Sequence, residues 1–217
     1  MTDTAPDSDA ELEERLSRPT AGLLDTLKRH SGDLLILGAG GKMGPTLARM
    51  ARRGLEAVGS GGRVVAVSRF RDPAVATGLR ADGIDVIAAD LLDPVALAAL
   101  PDAESVIFMA GQKFGTLGAP AETWAMNAIV PTRIAERFAG QRTVVFSTGN
   151  VYPLTPAAGG GPTEATPPGP IGEYAMSCLA RERIFEDAAL RYGTPVALVR
   201  LNYAIDLRYG VDRKSVV

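Results

Sequence analysis

Three glycines directly after a short apolar run are the residues best suited to do chemistry in this chain. Gly38, Gly41 and Gly44 follow the run Leu34–Leu37, and the next residues, Pro45–Met50, have a helical pattern. A buried strand, a tight turn and a helix direct backbone N–H groups and a helix N-terminus at one point. This arrangement predicts a site for a phosphate group. A glycine turn that only reverses the chain is the alternative interpretation.

The spacing of these glycines separates the turn from two better-known phosphate loops. A Walker A loop would need glycine at Ile36 and Ser or Thr at Met43, directly after Lys42. The dehydrogenase form G-x-G-x-x-G would need glycine where Met43 stands. The spacing that fits is G-x-x-G-x-x-G, which favours a nucleotide-binding turn of another kind.

The residues after the second apolar run, Val64–Val67, indicate which nucleotide is bound. Ser68 and Arg69 follow this run, and no acidic residue appears before Asp72. An acidic residue here binds the ribose hydroxyls of NAD, whereas an arginine favours the 2′-phosphate of NADP. We therefore expect NADP, held by Ser68 and Arg69, with NAD as the alternative cofactor. An ordinary surface charge is the competing interpretation of Arg69.

Composition excludes several other classes of protein. The 217 residues carry a net charge of only -2, and the Lys and Arg residues are scattered, which does not favour nucleic acid as a partner. One cysteine and one histidine rule out a disulfide framework and a zinc site, so no metal is expected. No apolar run approaches the ~20 residues of a membrane span. The acidic N-terminus does not resemble a secretory signal. The expectation is a cytoplasmic protein that acts on a small molecule.

Short apolar runs recur along the chain, and helical patterns lie between most of them. The runs are Leu34–Leu37, Val64–Val67, Val86–Ala89, Val106–Ala110, Thr143–Phe146 and Val196–Leu201. The helical patterns are Pro45–Arg53, Pro94–Leu100, Thr123–Phe138 and Tyr174–Tyr192. Strands that alternate with helices build right-handed βαβ units and a parallel sheet that is covered on both faces. We predict an α/β protein with a doubly wound, parallel-sheet Rossmann fold.

The same patterns divide the chain into three parts. Residues 1–30 are expected to be an N-terminal extension, partly disordered and partly helical. Residues 31–207 are the predicted NAD(P)-binding Rossmann domain, and residues 208–217 are an irregular tail.

Taken in order, the motifs resemble the extended short-chain dehydrogenases/reductases, also called the NAD-dependent epimerase/dehydratase family. The resemblance runs from about Leu34 to Tyr203. It implies that Asp90-Leu91 contacts adenine, that Ala110-Gly111 lies beside the cofactor, and that Asn127 is the asparagine of the following helix. The residues expected to bind cofactor are Gly38, Gly41, Lys42, Met43, Gly44, Ser68, Arg69, Asp90, Leu91, Ala110, Gly111 and Asn127.

The resemblance also implies two catalytic residues. Residues 146–152 are similar to the segment that supplies the catalytic Ser or Thr, which by position is Thr148. Tyr174 and Ser177 match the catalytic helix, where the family carries Tyr-x-x-x-Lys. In such a helix the resemblance implies a lysine that binds the nicotinamide ribose and lowers the pKa of the tyrosine. This chain has Cys178 at the position of the lysine.

Three hypotheses for Cys178 stay open. It is a small buried residue in a protein that binds cofactor without turnover. Alternatively, it belongs to an active variant in which Lys113 or Arg181 supplies the positive charge. In the third hypothesis it is a nucleophile, although no histidine accompanies it in the sequence.

The expected function is hydride transfer to or from a carbonyl or carbinol carbon, with a nucleotide sugar as the family's common substrate class. A non-catalytic NADP-binding sensor or scaffold is the alternative, and a homodimer is left open. Residues 153–170 hold six prolines and four glycines and are expected to form a loop over the substrate. Family members continue beyond the sixth strand with a substrate-binding lobe. We expect that lobe to be missing or truncated here, because the chain ends soon after the sixth apolar run.

Overall fold

Six parallel strands with flanking helices form the framework of the protein. The computed structural model describes residues 6–113, 115 and 117–202. The strands are β1 Leu34–Leu37, β2 Val64–Ser68, β3 Asp85–Ala88, β4 Ser105–Phe108, β5 Arg142–Thr148 and β6 Val196–Leu201. The sheet order is β3-β2-β1-β4-β5-β6, which is the order of a Rossmann sheet. The predicted fold class is confirmed.

Two helices precede β1, and the others occupy the intervals between the strands, as the alternating pattern predicts. The helices are α1 Asp9–Leu16, α2 Ala21–Leu27, α3 Gly44–Ala57, α4 Pro73–Ala81, α5 Pro94–Ala98, α6 Pro120–Trp124, α7 Val130–Arg137 and α8 Gly172–Tyr192. Proline stands in the first turn of α3, α4, α5 and α6, where its missing N–H costs no hydrogen bond.

The described residues divide into two compact units, residues 6–88 and residues 89–202. The first unit pairs β1 with β2 and β2 with β3, all in parallel. Strand β1 of this unit is buried along its whole length, because strands covered on both faces need apolar side chains on both. The second unit pairs β4 with β5 and β5 with β6, again in parallel.

Two short helices precede the first strand and pack within the first unit. Ser8 and Thr20 cap α1 and α2 by accepting hydrogen bonds from backbone N–H groups. Leu27 is buried, and its Cδ1 lies only 2.5 Å from the position that a Cβ on Gly54 of α3 would occupy. The extension is therefore held against α3 by close apolar contact.

The long helical stretch before β5 is interrupted by a wider turn. Residues Ala125–Ile129 form a π-helical segment between α6 and α7. Single π turns inside helices occur often at functional sites. Asn127, one of the predicted cofactor residues, lies in the middle of this segment and is fully buried.

Two further findings apply to the described residues only. None of their helices is long and apolar enough to cross a membrane. No cluster of His, Cys, Asp or Glu in residues 6–113, 115 and 117–202 could hold a metal ion. Tyr203 and the predicted tail at 208–217 lie outside the described residues.

We expect Leu27→Ala to lower the free energy of unfolding by about 2–3 kcal/mol, because it removes a buried side chain that α3 covers. Thr26→Ala, on the exposed side of the same helix, is the matched control and should change it by less than about 0.5 kcal/mol. Urea denaturation followed by circular dichroism measures both. Equal effects of the two substitutions would contradict the docking of α2 on α3.

Candidate functional site

The glycine turn is built as the sequence predicts, from strand to turn to helix. The N–H groups of Gly38 and Ala39 both donate to the carbonyl of Val67 at the end of β2, at 2.8 and 3.1 Å. Gly38 has a φ of 94°, which favours glycine. A Cβ on Gly44 would overlap the backbone of Ala39, so only glycine allows α3 to begin there.

The start of α3 is open to a ligand. No side chain caps the N-terminus of this 14-residue helix at Met43. Gly41 and Lys42 are exposed beside it. Backbone N–H groups at an open helix start fit a phosphate in charge and geometry. The turn therefore has the form that a dinucleotide pyrophosphate requires.

The end of β2 faces the same turn. A Cβ on Gly40 would stand 2.6 Å from Oγ of Ser68, so backbone and side chain are already in close approach. Arg69 is exposed, whereas Phe70 is buried at a φ of 42°. The Asp72 carboxylate accepts a 2.9 Å hydrogen bond from the N–H of Ala74 and thereby caps α4. The carboxylate of the first acidic residue after β2 is therefore used as a helix cap.

The other predicted cofactor residues lie at the carboxyl ends of β3 and β4. Asp90 accepts a 3.0 Å hydrogen bond from the N–H of Leu92, and Leu91 is buried. Ala110 is buried and Gly111 is exposed directly after β4. All four belong to the second unit, together with Asn127 and the two predicted catalytic residues.

Asn127 uses every hydrogen-bonding position of its side-chain amide. Its Oδ1 accepts from the N–H of Gln112 at 2.9 Å and from Nη2 of Arg181 at 2.7 Å. Its Nδ2 donates to the Gln112 carbonyl and to Oγ of Ser177, both at 3.0 Å. One fully satisfied amide therefore joins the loop after β4, the π segment and α8.

Thr148 and Tyr174 are brought together, as the resemblance implies. Thr148 ends β5 and is buried, and its hydroxyl lies close enough to the Tyr174 phenol to act toward lowering the pKa of Tyr174. Burial acts in the opposite direction and more strongly, with a contribution from the Cys178 thiol. Together they raise the pKa of Tyr174 to about 12. Tyr174 is therefore a protonated phenol at neutral pH, suited to give a proton.

Cys178 is buried one helical turn after Tyr174. Loss of solvent raises the pKa of its thiol, although Arg181 and Tyr174 act to lower it. A protonated, buried thiol is a poor nucleophile. The position that carries lysine in the family's motif is thus apolar in this chain.

A buried ion pair beside this site is absent from the sequence predictions. Glu182 is fully buried and pairs with Arg200 through three contacts of 2.8 to 3.2 Å. It also accepts from Oγ of Ser147 at 2.5 Å, and Arg200 donates to the Tyr152 hydroxyl at 3.0 Å. The spacing of Glu182, eight residues after Tyr174, was a usable signal because it places both near one face of α8.

A cavity of about 600 Å³ opens at the carboxyl ends of β5 and β6. The proline-rich segment 153–170 contributes Pro162, Thr163 and Glu164 to its wall. The sheet side supplies polar groups from Tyr152 and Arg200. The cavity lies within the second unit and has the size of a small-molecule site.

The family model for the NAD dependent epimerase/dehydratase family matches residues 34–205. The chain belongs to this family. The match covers both the glycine turn and the Thr148–Tyr174 pair. A comparison with curated protein sequences gave no match.

Solved structures of epimerases and dehydratases share the fold. UDP-glucuronic acid 4-epimerase from Bacillus cereus, in complex with NAD, superposes with a TM-score of 0.62 at 19% identity, covering 78% of this chain and 56% of that one. DesIV, a dTDP-glucose 4,6-dehydratase from Streptomyces venezuelae with NAD and TYD bound, gives 0.69 at 20% identity, covering 77% and 55%. MoeE5 in complex with UDP-glucose and NAD gives 0.60 at 25% identity, covering 80% and 55%. This chain spans little more than half the length of these proteins.

We expect Gly44→Ala to lower the free energy of unfolding by about 1–3 kcal/mol, because its Cβ would meet the Ala39 backbone, which cannot move aside cheaply. Gly41→Ala is the matched control, since its Cβ would make only an ordinary 3.5 Å contact with the Gly38 carbonyl. Thermal or urea denaturation without cofactor separates the two. If both substitutions are tolerated equally, the close approach in the turn is wrong.

Proposed function

We propose that this protein is an NAD(P)-dependent oxidoreductase of the epimerase/dehydratase type, which transfers hydride to or from a carbonyl or carbinol carbon. The observation that carries the proposal is that the Thr148 hydroxyl, at the end of β5, lies close to the Tyr174 phenol of α8. An oriented phenol beside a second hydroxyl can hold a substrate oxygen and exchange a proton with it. The family match and the geometry of the glycine turn support a nicotinamide cofactor.

Different residues are proposed to bind different parts of the cofactor. We infer that Gly38, Gly41 and Gly44 let the pyrophosphate approach the backbone at the start of α3. Lys42 and Met43, at the start of α3, are proposed to lie beside the pyrophosphate. Asp90 and Leu91 are proposed for the adenine side, and Ala110 and Gly111 for contact with the cofactor beside β4, as the resemblance implies. Asn127, whose amide is buried and fully hydrogen-bonded, is proposed to act by holding the loop after β4 in place. When bound, the nicotinamide ring supplies or accepts the hydride.

NADP is the proposed preference. Ser68 and Arg69 offer a hydroxyl and a guanidinium at the end of β2, and the nearest following carboxylate, Asp72, caps α4. A guanidinium binds a phosphate through charge-assisted hydrogen bonds. The structural neighbours named above were solved with NAD, so NAD is the alternative that a titration must exclude.

Tyr174 acts as the proton donor in this proposal, and Thr148 orients the substrate oxygen. In the reductive direction the carbonyl oxygen receives the phenolic proton while its carbon receives the hydride. Because the pKa of Tyr174 is about 12, its phenolate is scarce at neutral pH, which favours reduction over oxidation.

A nucleotide sugar is the proposed substrate class. The cavity beside Tyr152 and Arg200 carries hydroxyl, carboxylate and guanidinium groups that suit a hydroxylated ligand. Several structural neighbours are proteins of nucleotide-sugar chemistry by name. The identity of the sugar stays outside the proposal.

The second candidate is a non-catalytic NADP-binding sensor or scaffold. It is favoured by one observation, the buried Cys178 at the position of the catalytic lysine. Both candidates predict binding of cofactor, so turnover is the measurement that separates them.

Replacing Arg69 by alanine should weaken NADPH binding about 10-fold to 100-fold and leave NADH binding nearly unchanged, because only NADPH carries the phosphate that Arg69 would pair with. Arg80→Ala, an exposed arginine on α4, is the charge-matched control and should change neither affinity. Calorimetric titration of both cofactors measures this. Tighter binding of NADH than of NADPH by the unmodified protein would refute the NADP preference.

The rate of alcohol oxidation should rise about tenfold per pH unit from about pH 7 to about pH 9, because the fraction of Tyr174 phenolate grows with pH below its pKa. The protein expressed from its complete reading frame, with NADP⁺ at saturation and a panel of nucleotide sugars, is the sample. A plateau below pH 8 would contradict the raised tyrosine pKa. Tight cofactor binding without turnover on any member of the panel would favour the sensor.

A further inference from the structure

Arg181 is a buried cation whose contacts are all with uncharged groups. Only 6% of the residue's surface is exposed to solvent. Nη1 donates to the carbonyl of Phe146 at 2.9 Å, and Nη2 donates to Oδ1 of Asn127 at 2.7 Å. The guanidinium carbon lies 5.4 Å from the centroid of the Phe108 ring, and Nε is buried without a hydrogen-bond partner.

No carboxylate among the described residues forms an ion pair with Arg181. Glu182, the next residue in the sequence, pairs with Arg200 and accepts a hydrogen bond from Ser147. A buried cation without a counterion is expensive, and such a group is seldom kept for packing alone. A guanidinium keeps its proton at neutral pH even though burial lowers the pKa of Arg181, so the charge remains.

The backbone after β4 leaves room for this guanidinium. A Cβ on Gly111 would stand 2.6 Å from Nη2 of Arg181 and 3.1 Å from Oδ1 of Asn127. Glycine at 111 is therefore the residue that allows Arg181 to reach Asn127. The position resembles a family motif beside the cofactor, and here it also borders the guanidinium.

Arg181 shares a face of α8 with Tyr174 and Cys178, since residues four and seven positions apart lie above one another on a helix. The titratable and charged groups around it are Tyr174, Cys178 and Glu182, all on α8. Its charge lowers the pKa of both the Tyr174 phenol and the Cys178 thiol. Its influence therefore reaches the proposed proton donor.

We propose that Arg181 is a positioning residue that supplies, from one turn farther along α8, the positive charge that a lysine at position 178 would supply. This inference rests on the proposed function. Arg181 holds Asn127 in place and stabilises the phenolate that remains when Tyr174 has given its proton to the substrate oxygen. Solvent returns that proton. Cys178 is then a small residue that leaves the guanidinium its space.

A charge cycle tests this placement without cofactor or substrate. Cys178→Lys and Cys178→Met both introduce an unbranched side chain of similar length, and only lysine carries a charge. Each is made in the unmodified protein and in Arg181→Met, and melting temperatures are compared. With Arg181 present, the Cys178→Lys protein should melt at least about 5 °C below the Cys178→Met protein, because two cations would share one buried site. In the Arg181→Met background that difference should shrink to less than half.

The cycle also has a pH signature. A lysine beside Arg181 has a lower pKa folded than unfolded, so the unfolded chain binds more protons and the stability of the Cys178→Lys protein rises with pH. The melting-temperature difference between lysine and methionine should therefore grow as pH falls from about 10. Equal differences in both Arg181 backgrounds, or no dependence on pH, would overturn the proposal.

Turnover forms the second arm of the test. Arg181→Met should lower kcat at least about 10-fold with little change in KM, and Arg181→Lys and the double variant Cys178→Lys/Arg181→Met should each recover part of the loss. Arg183→Gln, which removes an exposed charge from the same helix, is the control and should keep full activity. Turnover unchanged by Arg181→Met would overturn the inference alone. No turnover in any variant, with the charge cycle as expected, would overturn the proposed function and the catalytic role of Arg181 together.

Discussion

The side-chain amide of Asn127 is the interaction on which the second unit of the protein depends. It is fully buried, and all of its donor and acceptor positions are used. Its partners come from the loop after β4 and from α8, so one amide fixes three segments that are far apart in sequence. The π segment matters because it places Asn127 where that amide can reach both sides. Loss of any one partner would leave a buried polar group unsatisfied, at a cost of about 1–3 kcal/mol.

The charged groups near this amide differ in whether they have an oppositely charged partner. Glu182 and Arg200 neutralise each other in a buried pair, and that pairing raises the pKa of Arg200. Arg181 stays without a carboxylate partner among the described residues and keeps its charge close to Tyr174 and Cys178. The site therefore combines a protonated phenol with a fixed cation, which is a different solution from a tyrosine activated by a lysine in the next turn. Such a site is better suited to giving a proton than to taking one.

Much of the fold could be predicted because it rests on local patterns. Apolar runs and intervening helical patterns locate all six strands, and the glycine turn before α3 has the predicted order of strand, turn and helix. The strand limits differ by one or two residues, as for β5, which extends to Thr148. The predicted helix over Thr123–Phe138 is present, but its π segment was not predicted, because a register change of one residue leaves no mark in apolar periodicity.

The site was less predictable because its contacts join distant segments. Sequence motifs indicate Thr148, Tyr174 and Asn127, and the role of each stays a prediction. The partners of Asn127 come from residues 112, 177 and 181, and no spacing rule connects these positions to it. The sequence offers Arg181 and Lys113 as equal sources of charge. The burial of Arg181 and its hydrogen bond to Asn127 favour Arg181, and this could be seen only in three dimensions.

The central claim is that Tyr174 gives a proton during hydride transfer, and Tyr174→Phe tests it most directly. The substitution removes only the phenolic oxygen, so the fold and cofactor binding should be kept. NADPH oxidation by the two proteins, measured on the same carbonyl substrates after each has been shown to bind NADPH equally, should be at least about 100-fold slower with phenylalanine. Equal rates in the two proteins would contradict the account.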